Sequence, residues 1–474
     1  MKLHILRHLL PLLALYSLPS YSVTLDEYLQ QVELKNGIIR ATKISSDAKE
    51  LRLDEGTLFF RPSFFLTGEY YDDQRPTNAP SFQGAQTIRH TLKAGLAQNL
   101  RTGTRASVGY NYYKTQINGA NPNVLPERMF FDVAPSFEIS QSLWRNFLGT
   151  EFEAQETIQN EQASAAKFRE QYDRKLLLTQ AENAYWKLYF TQISLKVQKE
   201  SLERAKKLRD WNVQRVKSNL VDETELLQAE SNLQTREIEQ QDTLTELDTA
   251  QRDFNSIRES EGQVELNEPL EKVDELILNA KLPHKTAMRE DVRSYLANQK
   301  VAAASSELGI QRNRPNLELY ANYSLNGRDG NSYSDAVDMA GTATRPLTVV
   351  GFRFTTPLDF SSLNGYKKAY SQEVVASEMA YKRKYYEVER EWEILTERFK
   401  NFKERLRLAQ KLEKVQERKF QQERKRYQQG RTTTFQVLQF EQDYFNTQLI
   451  KLRFERELIT TYNQLKLFSG ASHE

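Results

Sequence analysis

Two stretches of this chain, residues 150–261 and 366–429, contain neither glycine nor proline. They are filled with Glu, Gln, Lys, Arg, Ala and Leu, residues that lose little on entering a helix. An ordinary helix runs about 11–12 residues. At about 1.5 Å per residue the shorter stretch would reach roughly 95 Å, farther than one globular core can cover. Helix must therefore pack against helix along its length. From Tyr381 onward the chain carries a seam for this: Tyr385, Val388, Trp392, Leu395, Phe399, Phe402, Leu406 and Ala409 recur in steps of three and four. That repeat of about 3.5 residues marks knobs-into-holes packing. The large aromatics at several of its positions suggest an assembly wider than a two-stranded zipper.

The long helices are interrupted twice in the same way. Residues 215–231 read "RVKSNLVDETELLQAES" and residues 426–442 read "RYQQGRTTTFQVLQFEQ". Arg215 falls on Arg426, Asn219 on Gly430, Leu227 on Leu438, Gln228 on Gln439 and Glu230 on Glu441, all at one offset of 211. Each interruption reads as the turn of a helical hairpin.

Between the helical runs the texture changes. Residues 61–72, 128–140, 314–327 and 346–360 mix aromatic and β-branched residues with polar ones. Leu317, Leu319, Ala321 and Tyr323 alternate with Glu318, Tyr320, Asn322 and Ser324, the period-2 pattern of strands with one apolar face. Such texture fits a soluble sheet and a membrane barrel equally. The polar, small-residue interval 327–346 reads as an exposed loop and favours the barrel. The interval 73–127 holds a further strand pair, 88–100 and 104–115, joined at "RTGT".

The N-terminus bears Lys2 and Arg7, an apolar run Leu9–Leu18, then Ser20 and Ser22 before Val23. That is the layout of a secretory signal peptide over residues 1–22. Its apolar run is short for a membrane span and is broken by Pro11 and Pro19. Without Lys2 and Arg7, 64 basic residues meet 64 acidic ones, so nothing argues for nucleic acid as a partner. The chain has no cysteine and hence no disulfide. After residue 22 no apolar run is long enough for a membrane helix, so an exported chain of this kind enters a membrane only as a β-barrel.

The domain organisation follows as a tandem repeat. The first repeat covers 23–255, with a helix, strands at about 62–72 and 130–142, the extra pair within 88–115, and a helical hairpin at 150–255. A joint at 256–292 holds Gly262, Pro269 and Pro283. The second repeat covers 293–470, with a helix, strands at about 314–326 and 347–358, and a hairpin at 366–468. Arg61-Pro62 and Arg314-Pro315 open equivalent strands, and "SQSLW" and "TTPLD" close the second strand of each pair.

In this order and duplication, "TLDEYLQQVELKNGIIRATKISSDAKELRL", the "RP" openings, "SQSLWRNFLG", "AENAYWKLYF" and the paired turn segments resemble the TolC-type outer-membrane efflux proteins. The resemblance covers essentially the whole chain after residue 22. It implies an α+β membrane protein whose protomers combine long coiled-coil helices with transmembrane β-strands. Three protomers would share one twelve-stranded barrel in the outer membrane, continued by a helical tunnel in the periplasm. The hairpin turns would lie at the tunnel's inner end, facing a periplasmic adaptor and an inner-membrane efflux or secretion transporter. The extra pair departs from four strands per protomer. It could widen the barrel, extend beyond it or pack elsewhere. Ser142 also stands where the family pattern has the proline matched by Pro357.

Chemistry sites are sparse. His90, His284 and His473 lie far apart with no metal-site spacing, and no phosphate loop or nucleophile elbow is present. Neither catalysis nor a cofactor is expected. The resemblance instead directs attention to the turns, where three hairpins would ring a pore with charge. It matches Tyr427 to the family's tyrosine before the turn glycine, and places Thr432, with Arg431 beside it, where an arginine follows. Gln436 and Gln439 stand where the family has acids, whereas the first repeat keeps Glu225, preceded by Asp222 and Glu223. These residues form the expected periplasmic aperture, with the charge mainly from the first turn. Gln436 and Gln439 could equally pack between helices. Asn219, Leu220, Gly430 and Thr432 form the expected tips for adaptor docking. The function so implied is a passive channel-tunnel exporting small molecules or proteins, its cargo chosen by its partners. The alternative is a periplasmic or surface coiled-coil protein without a channel.

Overall fold

The glycine- and proline-free runs are almost wholly helical. In the computed structural model, which describes residues 23–264, 266 and 279–469, α4 covers Thr150–Lys217 and α8 covers Phe360–Gln428. Each turns into a partner, α5 (Glu223–Ile257) and α9 (Thr434–Lys466). The expected signal peptide, 1–22, and part of the expected joint, 265 and 267–278, lie outside the described residues. The chain divides into two compact units, one of Met1–Lys43, Glu170–Arg289 and Glu387–Glu474, the other of Ile44–Arg169 and Glu290–Tyr386.

The first unit is helical. Within it the seam of α8 is visible as buried Val388, Leu395, Phe399, Leu406 and Ala409. The aromatics between them meet α9 and the turn after it, Phe402 against Phe454 at 6.4 Å and Trp392 against Phe468 at 5.2 Å between ring centres. The short helix α1 (Leu25–Lys35) starts at a capping box between Thr24 and Glu27. It buries Tyr28 against α5, with its ring stacked on Phe254 at 4.0 Å and its hydroxyl donating to the Phe254 carbonyl at 3.1 Å. Burial holds the Tyr28 phenol protonated well above its usual range.

The second unit is built on an antiparallel sheet. Its long strands are β1 (Ser63–Asp73), β2 (Gln86–Asn99), β3 (Thr104–Asn118), β4 (Met129–Ser142), β5 (Asn316–Ser324) and β7 (Leu347–Thr355), ordered β1-β2-β3-β4-β5-β7. A three-residue β6 (Gly327–Asp329) pairs with β4 off this path. The strand pair within 88–115 therefore stands inside the sheet, between β1 and β4. Alternation sorts the side chains by face. Phe64, Leu96, Val108, Phe137 and Tyr323 form one cross-strand row, and all are exposed.

The interval 327–346 differs from the open loop expected of it. Residues Tyr333–Gly341 form helix α7, capped by Ser332, whose hydroxyl accepts from the Asp335 amide at 3.1 Å. Ala336 and Ala340 pack on Val133 of β4, with Tyr112 and Phe131 beside them. Small polar residues read as loop, yet two alanines four apart give a helix the narrow apolar stripe that seats it.

Candidate functional site

Both interruptions of the long helices close by the same backbone device. In the first, the amide of Leu220 donates to the Arg215 carbonyl at 2.9 Å, and Asn219 takes φ 53. In the second, the amide of Arg431 donates to the Arg426 carbonyl at 2.9 Å, and Gly430 takes φ 67. This is the left-handed helix stop that favours Gly and, after it, Asn. The next helix then starts at Asp222 in one copy and Thr433 in the other, and the Thr433 hydroxyl accepts from the Gln436 amide at 3.4 Å. Every one of these pairs keeps the offset read from the sequence.

Inside the turns the two hairpins are tied together. The Thr434 hydroxyl, fully buried, donates to Glu225 Oε2 at 2.6 Å and lies 2.9 Å from the Tyr427 hydroxyl. Asn212 Oδ1 lies 2.9 Å from the same Tyr427 hydroxyl and 3.1 Å from Thr434. The Asn212 amide nitrogen donates to the Leu208 carbonyl at 3.2 Å, which fixes the side chain's orientation. Arg215 completes the cluster, its guanidinium 5.2 Å from the centre of the Tyr427 ring and 3.6 Å from Glu225 Oε2. Deeper along the helices, buried Glu441 pairs with Arg204 at 2.8 Å. A cavity of about 260 Å³ opens between these two layers, lined by Trp211, Phe420, Tyr427 and Val437 with Lys207 and Arg424. Near it, burial and the carboxylates of Glu417 and Glu413 push the Tyr444 phenol up.

Of the residues singled out in the sequence, Glu225 and Tyr427 meet in this cluster. Gln436 accepts from Thr432 on the surface, and Gln439 donates to Asp443 at 3.2 Å. Asp222, Asn219, Leu220, Gly430 and Arg431 are exposed at the turns. Asn212, Thr434 and the bridging role of Arg215 were not legible beforehand. Their partners lie roughly two hundred residues away in sequence, and no local period links them. Among the described residues no group of three or more acids or histidines could hold a metal ion, and no helix is long and apolar enough to cross a membrane.

Residues 286–471 match the family model described as outer membrane efflux protein. This stretch is similar to the outer membrane efflux protein family. No curated protein matches the sequence. Solved structures extend the likeness over the rest. The VceC outer membrane protein of Vibrio cholerae, 12% identical, covers 95% of this chain and 97% of its own with a TM-score of 0.66. The CmeC outer membrane channel of Campylobacter jejuni, 15% identical, covers 99% and 94% at 0.65. The MtrE outer membrane channel of Neisseria gonorrhoeae, 11% identical, covers 94% and 89% at 0.65. At such identities the likeness shows the fold alone, the combination of long helices and antiparallel strands expected from the sequence. The tip cluster lies on the paired helical hairpins of this fold.

Proposed function

We propose that this protein is an outer-membrane export duct, a homotrimer that passes cargo across the periplasm and outer membrane while partner proteins supply the driving force. The observation that carries this reading is the sheet of the second unit. One face is apolar and, apart from the patch around Val133 that α7 covers, exposed, and β1 and β7 each keep one open edge among the described residues. An exposed apolar face of that extent calls for lipid, and open edges call for further strands. Even alternation along the path sets β1 and β7 antiparallel, so β7 of one copy can pair with β1 of the next and close a barrel. A coiled-coil fibre would have no use for such a sheet.

In this reading the hairpin tips face the periplasmic adaptor and the inner-membrane transporter. The cluster of Asn212, Arg215, Glu225, Tyr427 and Thr434 is the latch that holds the aperture narrow. Glu225 ties the two hairpins and also supplies the aperture's charge; Gln436 and Gln439 form a neutral surface. The duct reading is tested by fractionation: the protein should migrate as a heat-modifiable trimer from the outer membrane, and recovery as a soluble periplasmic monomer would refute it. The latch is tested in planar bilayers. Glu225→Gln should change the cation preference of the closed channel more than Gln436→Ala, and equal small effects would count against the assignment.

A further inference from the structure

The hairpin of β2 and β3 is the feature that the family's architecture does not account for. It is not an appendage. Its turn, Leu100–Thr104, lies at the helix end of the sheet and is seated on the start of α4. A Cβ on Gly149 would stand 1.6 Å from the Arg101 carbonyl oxygen, so only glycine permits this approach. Arg101 grips Glu156 of α4 through two hydrogen bonds of 2.9 and 3.2 Å. The Ser142 amide, at the end of β4, donates to the Gly103 carbonyl at 3.3 Å.

Both strands are paired on both edges over most of their length. β2 matches β1 from Ser63↔Ala97 to Asp73↔Thr87, and β3 matches β4 from Thr104↔Gln141 to Gln116↔Met129. Their faces continue those of their neighbours. Leu96 and Val108 stand in the exposed apolar row between Phe64 of β1 and Phe137 of β4. On the opposite face Lys93 and Asn111 follow Thr67, and Ser107 precedes Glu138. The ring of Phe65 from β1 covers Gly95 on that face, its Cζ 2.6 Å from where a Cβ would stand. A strand pair outside the wall would need neither the register nor the alternation.

We infer that β2 and β3 are part of the membrane wall, so that each protomer contributes six long strands and three copies close a barrel of eighteen. This rests on the duct reading above. The lipid-facing occupant of the Leu96–Val108 surface is acyl chain, and the occupant of each free edge is a second copy of this chain. Barrel diameter grows about linearly with strand number, so eighteen strands give a bore about half again as wide as twelve and about double its cross-section. The outer-membrane section would then admit bulkier cargo than a twelve-stranded wall of the same tilt.

The chain has no native cysteine, which permits single-site labelling. Leu96→Cys, Val108→Cys, Lys93→Cys and Ser107→Cys would each carry an environment-sensitive fluorophore in full-length trimers. The trimers would be reconstituted into phosphatidylcholine–phosphatidylglycerol vesicles with brominated acyl chains. Phe64→Cys and Phe352→Cys, on β1 and β7, serve as references, and Leu92→Cys replaces Leu96→Cys if that variant does not assemble. The expected result is severalfold lipid quenching at 96 and 108, equal to that at 64 and 352, with 93 and 107 quenched by aqueous iodide instead. Quenching by lipid at 64 and 352 but not at 96 and 108 would overturn the eighteen-stranded wall and leave the duct intact. Absence of lipid quenching at all six sites would overturn both.

Discussion

Thr434 shows how much a single hydroxyl can do at the tip. It is fully buried, donates to Glu225 at 2.6 Å and touches the Tyr427–Asn212 pair, so it joins the helices of both hairpins. Thr434→Val keeps the shape and removes the donor. Glu225, half-buried, then loses its closest hydrogen-bond partner, a change worth about 1–3 kcal/mol. The ion pair with Arg215 at 3.6 Å cannot compensate, because partly exposed pairs contribute only about 0–1 kcal/mol. The expected outcome is a higher closed-state conductance in planar bilayers for Thr434→Val. Thr432→Val, whose hydroxyl meets only Gln436 at the surface, should leave conductance as it is. Equal conductance in the two variants would remove Thr434 from the latch. Resemblance to the efflux proteins' turn pattern pointed to Glu225 and Tyr427. The sequence could not name Asn212 or Thr434, since a contact between residues some two hundred positions apart leaves no mark on local spacing.

At the scale of the element, the two hairpins are one device made with different residues. Asn219 and Gly430 hold the same left-handed stop, but only the glycine lacks a side chain that must accept it. A Cβ at Gly430 would meet nothing within 4 Å, so a substitution there acts through backbone strain alone. Gly430→Val should therefore cost about 1–2 kcal/mol in the turn and impair export while trimers persist. Gly430→Asn, which copies the first hairpin, should export normally. Export by Gly430→Val at the wild-type level would show that the tip tolerates a reshaped turn. These turns were legible in the sequence because one offset aligned the residues that make them. The long helices were legible for a related reason, the absence of any breaker and a seam whose positions Val388 through Ala409 are buried. Helix α7 was not, because Gly341 and the serines around it mask a stripe only two alanines wide. The placement of β2 and β3 was likewise open, since alternation gives each strand two faces but does not choose its neighbours.

For the molecule as a whole, the decisive quantity is the solvent each face of the sheet meets. Val349 and Val350 are adjacent on β7, pair with Asn322 and Ala321 of β5, and point to opposite faces. Val350 shares the apolar face with Phe352 and Phe354, all exposed in the protomer, whereas Val349 lies on the face of Arg353 and Glu318. In water the two valines would be interchangeable, and lysine at either would be harmless. In an outer-membrane barrel they differ sharply. A lysine facing lipid near the bilayer midplane costs about 2–4 kcal/mol, while a lumen-facing lysine is solvated. In the proposed trimer, threefold symmetry would repeat that cost in every protomer. Val350→Lys should therefore lower the temperature at which trimers dissociate on heating in outer-membrane extracts and reduce the amount assembled. Val349→Lys should assemble as the unaltered chain does and shift only the preference for anions. Matching losses at both positions would mean that neither face meets lipid.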